Sequence, residues 1–207
     1  MVKSGYDTAV HEAGHAVVGL VTGMDVIELS IIPDDERNTT GGTVIEGGDQ
    51  LVRDVVAGDS WGFTPEEYAA AYGWLDGRVL TTLAGATAEQ RVTGEWNSEG
   101  AHSDVLFISD MVQVAYGHPD PDAPVEPDPL LVAPVLEDYY DEELGREFKF
   151  VDDYEPVVER ARERWGDECR DILEQNWAWV EAVAQAAMDG DGTVTGDQMK
   201  ALRPEDD

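Results

Sequence analysis

Two histidines and a glutamate stand together near the start of the chain, in the order His11-Glu12-Ala13-Gly14-His15. Residues four apart are neighbours on one face of a helix, so both imidazoles can turn a ring nitrogen towards one ion. A carboxylate beside such a pair can take a proton from a metal-bound water, whose pKa the ion lowers to about 7. The spacing predicts one zinc per chain, held by His11 and His15, with Glu12 as general base.

The surrounding residues predict a helix over residues 6–22, which would hold both imidazoles in ordered backbone. Asp7 or Thr8 can cap its start, and Gly23 can end it. Helical spacing gives it one apolar or small face, formed by Val10, Gly14, Val17, Val18 and Val21. The alternative is that both histidines are ordinary core or surface residues, because five-residue matches also arise by chance.

The composition is strongly acidic, with 45 Asp and Glu against 13 Lys and Arg and a formal charge of -32 over 207 residues. A chain of this length builds one compact unit, and its charge argues against a nucleic-acid partner. The acidic residues are spread through every segment, which is typical of a halophilic protein, because concentrated salt screens their repulsion. The alternative is an acidic surface for basic partners, which we expect to be patchy.

Cys169 is the only cysteine, so the chain cannot form an internal disulfide, and a reducing compartment is expected. No apolar run approaches the ~18–20 residues of a membrane helix, and the N-terminal residues lack the pattern of a secretion signal. These features predict a cytoplasmic protein with no membrane partner, in which Cys169 is a packing residue.

Local signals predict a mainly α fold with a small β-hairpin. Residues 26–32 and 42–46 have the pattern of its two strands, joined by a polar loop. A threonine-proline-glutamate capping box opens a helical stretch over residues 64–93. Glycines in that stretch, among them Gly85, allow either two helices or one helix that packs closely against another backbone.

The remaining sequence predicts more helices and one irregular segment. Residues 103–116 have the pattern of an amphipathic helix, whereas prolines over residues 118–134 exclude regular structure. The last third has two helical runs, residues 154–165 and 167–188, divided at Gly166. The Asp-Gly-Asp-Gly-Thr segment that follows lacks the first and last carboxylates of a calcium loop, so we interpret it as a helix connector.

A catalytic zinc site usually has three protein ligands, so the chain must supply one more. A third histidine ten residues after the first is excluded, because Val21 stands there. Glu28 and Glu36 lie in a strand and a turn rather than on a second helix. The remaining candidates are Glu95, Glu99, His102, Asp104 and His118.

Several segments together resemble the peptidase domain of the FtsH-type ATP-dependent zinc metalloproteases. The resemblance is carried by residues 9–19, 29–33 with 41–43, 83–90 with 94–95, and 100–104, and it continues over residues 161–188 and 196–202. It spans nearly the whole chain except residues 47–75 and 118–150. The resemblance implies a single zincin-like, FtsH-type peptidase domain over residues 1–207. Its parts are a zinc-site core (1–117), a Pro-rich acidic insertion (118–150) and C-terminal helices (151–207).

In that family the aspartate of the Gly-Ala-x-x-Asp segment is the third zinc ligand, which implies this role for Asp104, with His102 as its competitor. Family members also carry a membrane anchor and an ATPase module, and the domain assembles as a hexamer. This chain has no glycine-rich phosphate loop with lysine, so we expect a stand-alone peptidase domain. A separate ATPase in trans and a hexameric homo-oligomer are expected by resemblance alone. Ala86 and Thr87 replace the family's usual arginine, so oligomer contacts are not carried over.

The expected function is hydrolysis of peptide bonds by a zinc metalloendopeptidase, with peptides or unfolded proteins as substrates. An exposed edge of the predicted hairpin can accept an extended peptide as an added strand, or it has only a structural role. The alternative function is a non-catalytic zinc-containing binding or regulatory module derived from such a peptidase. The presence of Glu12 argues against that alternative, because a structural site needs no general base.

Overall fold

Helix α1 (Gly5–Val21) forms the centre of the computed structural model, which describes residues 5–34, 39–47, 64–97, 104, 136–141, 146–151 and 155–205. Every residue from Thr8 to Gly19 is buried, so the helix is buried on all sides rather than along one stripe. A helix that is buried on all sides needs packing partners on all sides. The motif from His11 to His15 therefore stands in tightly packed surroundings.

The start of α1 differs from the prediction, whereas its end agrees. Because the helix begins at Gly5, Asp7 lies in its first turn, where a negative charge is favourable, and neither Asp7 nor Thr8 is the cap. Gly23 follows the last turn with a φ of +82°. Glycine adopts this left-handed conformation without a steric penalty, which is why the helix ends there.

Helix α2 (Pro65–Thr93) is one continuous helix rather than two. Its predicted capping box is confirmed, since the Glu67 backbone N–H donates to Thr64 Oγ1 at 3.2 Å and the Thr64 backbone N–H donates to Glu67 Oε2 at 2.7 Å. Gly94 ends the helix with a φ of +82°. Both ends of α2 are therefore determined by local sequence.

Small residues let α1 and α2 pack closely. A Cβ atom added at Gly14 would lie 2.7 Å from the Ala84 carbonyl oxygen and 2.8 Å from the Ala88 Cβ atom. These distances are too short for any larger residue at position 14. The close backbone contact predicted for Gly85 thus occurs at Gly14, while the neighbours of Gly85 are imidazole rings.

A three-stranded antiparallel sheet packs beside α1, with strand β1 (Asp25–Ser30) between strands β2 (Gly42–Glu46) and β5 (Thr193–Thr195). β1 pairs with β2, which confirms the predicted hairpin, although β1 ends before the predicted residue 32. Leu29 lies opposite Thr43 in this pair and is fully buried. The sheet thus holds the backbone of Thr43 close to α1.

The predicted helix connector does join two helices, but it contains a third strand, β5 (Thr193–Thr195), which was not expected from the sequence. This strand pairs with β1 and places the buried Val194 opposite Leu29. Asp191 shapes the preceding turn, because its Oδ1 accepts a hydrogen bond from the Thr193 backbone N–H at 3.1 Å. Three residues are too few to show a strand pattern, and the pairing partner is far away in the sequence.

The chain ends in three helices, α3 (Glu155–Gln175), α4 (Trp177–Asp189) and α5 (Gly196–Ala201). The predicted division at Gly166 is wrong. Trp165 and Cys169 on either side of it are buried, and their packing outweighs the ~1 kcal/mol that a glycine costs within a helix. α3 ends instead at Gln175. The next residue, Asn176, donates a hydrogen bond from its Nδ2 atom to the Ile172 carbonyl oxygen at 2.8 Å.

A two-stranded antiparallel sheet, β3 (Leu136–Asp141) with β4 (Arg146–Val151), falls largely within the predicted insertion, where no strand is expected from the sequence. Asp104 is helical, but the rest of the predicted helix over residues 103–116 and the Pro-rich segment lie outside the described residues. The fold is therefore mostly helical with a small antiparallel sheet, which confirms the broad class.

Cys169 is fully buried and unpaired, as expected of a packing residue. Burial raises the pKa of its thiol to about 12, so the group stays neutral in the folded protein. Within the ranges that the structure describes, no helix combines the length and the apolar character needed to cross a membrane.

Candidate metal centre

His11 and His15 lie one turn apart on the same side of α1. Both side chains are buried, with ring centroids 4.8 Å apart and ring planes at 80° to each other. The i, i+4 spacing brings the rings together, as expected from the sequence. Two imidazoles buried this close to each other need polar partners for their ring nitrogens.

Helix α2 binds the Nδ1 atom of each imidazole. His15 Nδ1 donates to the Thr81 carbonyl oxygen at 2.7 Å, and His11 Nδ1 donates to Glu89 Oε2 at 2.9 Å. Carbonyl and carboxylate oxygens only accept hydrogen bonds, so both Nδ1 atoms carry hydrogen. Each ring is therefore oriented to offer Nε2, as metal-ligating histidines do when a neighbour binds their other nitrogen.

Asp104 faces both Nε2 atoms. Its Oδ2 lies 3.0 Å from His11 Nε2 and 3.3 Å from His15 Nε2, and the three ligand atoms all lie within 4.8 Å of one another. Ligand atoms bound about 2.0–2.2 Å from a tetrahedral zinc ion stand about 3.3–3.6 Å apart, which is similar to both of these distances. The structure thus brings His11, His15 and Asp104 into one group that can hold a metal ion.

The other candidates for the third ligand are not found in this group. Glu95 is exposed just beyond the end of α2. Glu99, His102 and His118 lie outside the described residues. Of the candidates that the structure describes, Asp104 is the one that contacts the histidines.

The charges of this cluster favour a cation. Burial, the largest influence, lowers the pKa of the His11 imidazole, but hydrogen bonds with Asp104 and Glu89 and the charges of Glu12 and Asp104 raise it to about 9 overall. Burial also raises the pKa of the Asp104 carboxyl, yet the charge of His15 and the hydrogen bonds with both histidines hold it well below its usual range. The ionised carboxylate thus retains a proton on the ring beside it, a position in which a metal ion can replace that proton.

Glu12 lies beside the metal-binding group without being part of it. Its side chain is buried, and Thr43 Oγ1 lies 2.9 Å from Glu12 Oε2 and 3.1 Å from the Glu12 carbonyl oxygen. The carboxylate is therefore held on the side of α1 that faces β2. The role of Glu12 as general base stays a prediction, since the hydrogen bonds described for it are with Thr43.

Gly85 provides the space for the two imidazoles. A Cβ atom there would lie 2.7 Å from His11 Nε2 and would collide with His15 Nε2. Gly85 stands four residues from both Thr81 and Glu89, so all three lie on one face of α2. This face supplies a carbonyl oxygen, a gap and a carboxylate to the cluster.

Glu89, Thr81 and Asn97 also contribute to the site, and none of them was predicted from the sequence to do so. Glu89 is only 2% exposed, and its Oε1 accepts a hydrogen bond from Asn97 Nδ2 at 2.9 Å. The available signal for Glu89 was an acidic residue four positions after Gly85, among small and apolar helix residues. Thr81 contributes a backbone oxygen, which no side-chain pattern marks.

No protein-family model matches this chain, and no curated protein matches it. Any assignment of function therefore depends on the motif and on the geometry of the side chains around it.

Proposed function

We propose that this chain is a zinc metalloendopeptidase that hydrolyses peptide bonds in unstructured polypeptides. The observation that carries the proposal is the convergence of two oriented Nε2 atoms on one carboxylate oxygen, at 3.0 and 3.3 Å. Two imidazoles and one carboxylate are a donor set typical of catalytic zinc sites in peptidases. A buried glutamate next to the first histidine supplies the base that such chemistry needs.

The roles of the residues follow from their positions. His11, His15 and Asp104 hold the ion, which when bound lowers the pKa of a coordinated water to about 7 and polarises the carbonyl of the scissile bond. Glu12 removes a proton from the water that attacks this carbonyl carbon. It then transfers the proton to the leaving amine as the C–N bond breaks, so it ends the reaction as a carboxylate.

Three protein ligands favour catalysis over a purely structural metal site. A structural zinc site is closed by four protein ligands, whereas a catalytic site keeps one position for water or substrate. Among the described residues, the cluster of possible ligand side chains has three members. The alternative of a non-catalytic zinc module also gives no role to the buried carboxylate of Glu12.

The FtsH-type segments in the sequence extend this proposal. They favour flexible peptides or unfolded proteins as substrates, either alone or delivered by a separate ATPase. Among the described strands, β2 lies at an edge of its sheet. It carries Thr43, which contacts Glu12, so an extended substrate bound along this edge would pass close to the base.

The decisive experiment compares wild type with Glu12→Gln in a casein cleavage assay at molar salt, with zinc measured by elemental analysis. We expect wild type to contain one zinc per chain and to cleave casein. The Glu12→Gln variant should keep its zinc and lose cleavage, because glutamine cannot accept the proton. Glu181→Gln, an exposed change of the same type on α4, is the matched control and should behave as wild type.

Two results would overturn the proposal. One is a Glu12→Gln variant that cleaves casein as fast as wild type, since the general base would then lie elsewhere. The other is a zinc-loaded wild type that cleaves neither casein nor short flexible peptides, which would favour the non-catalytic module.

A further inference from the structure

Thr43, on β2, binds the carboxylate of Glu12. Thr43 Oγ1 donates a hydrogen bond to Glu12 Oε2 at 2.9 Å, while the Glu12 carbonyl oxygen lies 3.1 Å from the same hydroxyl. A hydroxyl has one hydrogen to donate, and a bond to an ionised carboxylate is stronger than a bond to a carbonyl. The bond to Oε2 is therefore the preferred one when Glu12 is ionised.

The methylene groups of Glu12 are confined as well. A Cβ atom added at Gly41 would lie 3.2 Å from Glu12 Cγ and 3.1 Å from Thr8 Cγ2, so the backbone before β2 packs directly against this part of α1. Close packing of this kind reduces the number of rotamers open to the glutamate. Gly41 and Thr43 thus restrain Glu12 at its stem and at its carboxylate, respectively.

Thr43 is itself well fixed. Thr43 lies on β2, directly opposite Leu29. Leu29 is fully buried and belongs to β1, the central strand of the three-stranded sheet. Threonine is branched at Cβ and prefers few χ1 rotamers, so its hydroxyl has a defined direction. The pairing of β2 with β1 and the stiff side chain of Thr43 together give Glu12 a well-positioned partner.

Glu12 Oε1 is the carboxylate oxygen that remains available to take a proton from water. Among the residues that the structure describes, no hydrogen bond to Glu12 Oε1 is found, and Oε2 is bound by Thr43. A proton taken up at Oε1 leaves Oε2 as a carbonyl-type acceptor, so the bond from Thr43 persists before and after proton transfer.

We propose that Thr43 is a positioning residue for the general base, whose hydroxyl holds Glu12 Oε2 and directs Oε1 towards the attacking water. The inference rests on the proposed peptidase function and adds to it the residue that orients the base. Thr43 acts through Glu12 and contacts neither the ion nor the reacting atoms. Its loss should therefore change the rate of the chemical step and leave metal binding intact.

The kinetic test compares Thr43→Val, which keeps the shape and removes the hydroxyl, with Thr43→Ser, which keeps the hydroxyl. Loss of an outer-shell partner typically costs about 10- to 100-fold in activity, so we expect Thr43→Val to lower kcat by that factor with KM and zinc content unchanged. Thr43→Ser should recover most of kcat. Thr193→Val is the matched control, because Thr193 is also a strand threonine whose hydroxyl donates to a carboxylate, that of Asp191, at 2.7 Å.

A second readout does not depend on activity. Crystal structures of zinc-loaded wild type and Thr43→Val should show one position of the Glu12 carboxylate in the first and several positions in the second. The inference is overturned if Thr43→Val keeps both the wild-type kcat and the single carboxylate position, or if Thr43→Ser is as impaired as Thr43→Val. Should wild type cleave nothing, the proposed function fails by itself, and the crystal structures still decide whether Thr43 holds Glu12.

Discussion

His11 and Glu89 lie 78 residues apart in the sequence, yet a hydrogen bond of 2.9 Å joins His11 Nδ1 to Glu89 Oε2. Asn97 binds the other oxygen of Glu89, so the carboxylate uses both of its oxygens inside the protein. A carboxylate on the far nitrogen of a metal-binding imidazole fixes the orientation of the ring and makes Nε2 a better donor to the ion.

Removal of the Glu89 charge should therefore weaken metal binding. We expect Glu89→Gln to lower zinc affinity about 10- to 100-fold, the usual effect of losing such a partner, as measured by competition with a chromogenic chelator. Glu174→Gln, an exposed change of the same type on α3, is the control. Equal affinities of the two variants would contradict a role of Glu89 in orienting His11.

Asp104 and His102 are the two competing candidates for the third metal ligand, and the zinc content of their alanine variants distinguishes them. Because Asp104 Oδ2 contacts both Nε2 atoms, we expect Asp104→Ala to lose far more zinc than His102→Ala during dialysis against a weak chelator. Elemental analysis of the two variants gives the result directly. The reverse order would assign the ligand position to His102.

Gly85 and Gly73 offer a matched pair within α2. Gly85→Ala should abolish zinc binding, because the added Cβ would lie 2.7 Å from His11 Nε2 and displace the His15 ring. A Cβ at Gly73 meets nothing within 4 Å, so Gly73→Ala should keep zinc and gain about 0.5–1 kcal/mol of stability. Zinc content and thermal unfolding measure both effects. Normal zinc binding by Gly85→Ala would mean that α2 lies farther from the histidines.

The metal-free protein should lose stability as the pH rises from 6.5 to about 9. The pKa of His11 is about 9 in the folded protein against an ordinary value of 6.5, so its proton stabilises the fold fully below pH 6.5 and less and less as the pH approaches 9. Each unit of pKa difference corresponds to about 1.4 kcal/mol of unfolding free energy. Urea unfolding at a series of pH values, with and without bound zinc, measures the loss.

Bound zinc should reduce this pH dependence, because the histidines then hold the ion rather than a proton. The Cys169 thiol adds to the loss only as the pH approaches 9, its ordinary pKa, so the loss between pH 6.5 and about 8 reports on His11. A metal-free protein whose stability is constant or increases from pH 6.5 to 9 would contradict the assignment of a retained proton to His11.

The formal charge of -32 predicts a strong dependence of stability on salt. At molar salt the screening length falls to about 3 Å, so the repulsion between acidic side chains largely disappears. We expect the Tm to rise by about 2–4 °C for each kcal/mol of repulsion that KCl removes, with a smaller effect of sucrose at the same osmolality. Equal effects of KCl and sucrose would exclude charge screening as the cause.

Local sequence signals were sufficient for much of the fold and for the proximity of His11 and His15. The helix with His11 and His15, the hairpin and the capping box at Thr64 were all expected, and each depends on contacts between residues a few positions apart or on a short turn. Where local preference competed with packing, the prediction was wrong, as at Gly166, which stays helical between two buried side chains. Asp104 as third ligand required a family resemblance in addition to the residues themselves.

The contacts that orient the site could be read only from the folded chain. The Nε2 atom of His11 meets a carboxylate 93 residues away, its Nδ1 meets one 78 residues away, and Glu12 meets Thr43 across 31 residues. Spacing in a sequence determines which side chains share a helix face, but it carries no information on which other element packs against that face. That choice is made by burial of the whole chain around α1, which brings Glu89, the Thr81 carbonyl and Thr43 to the histidine motif because those surfaces fit together.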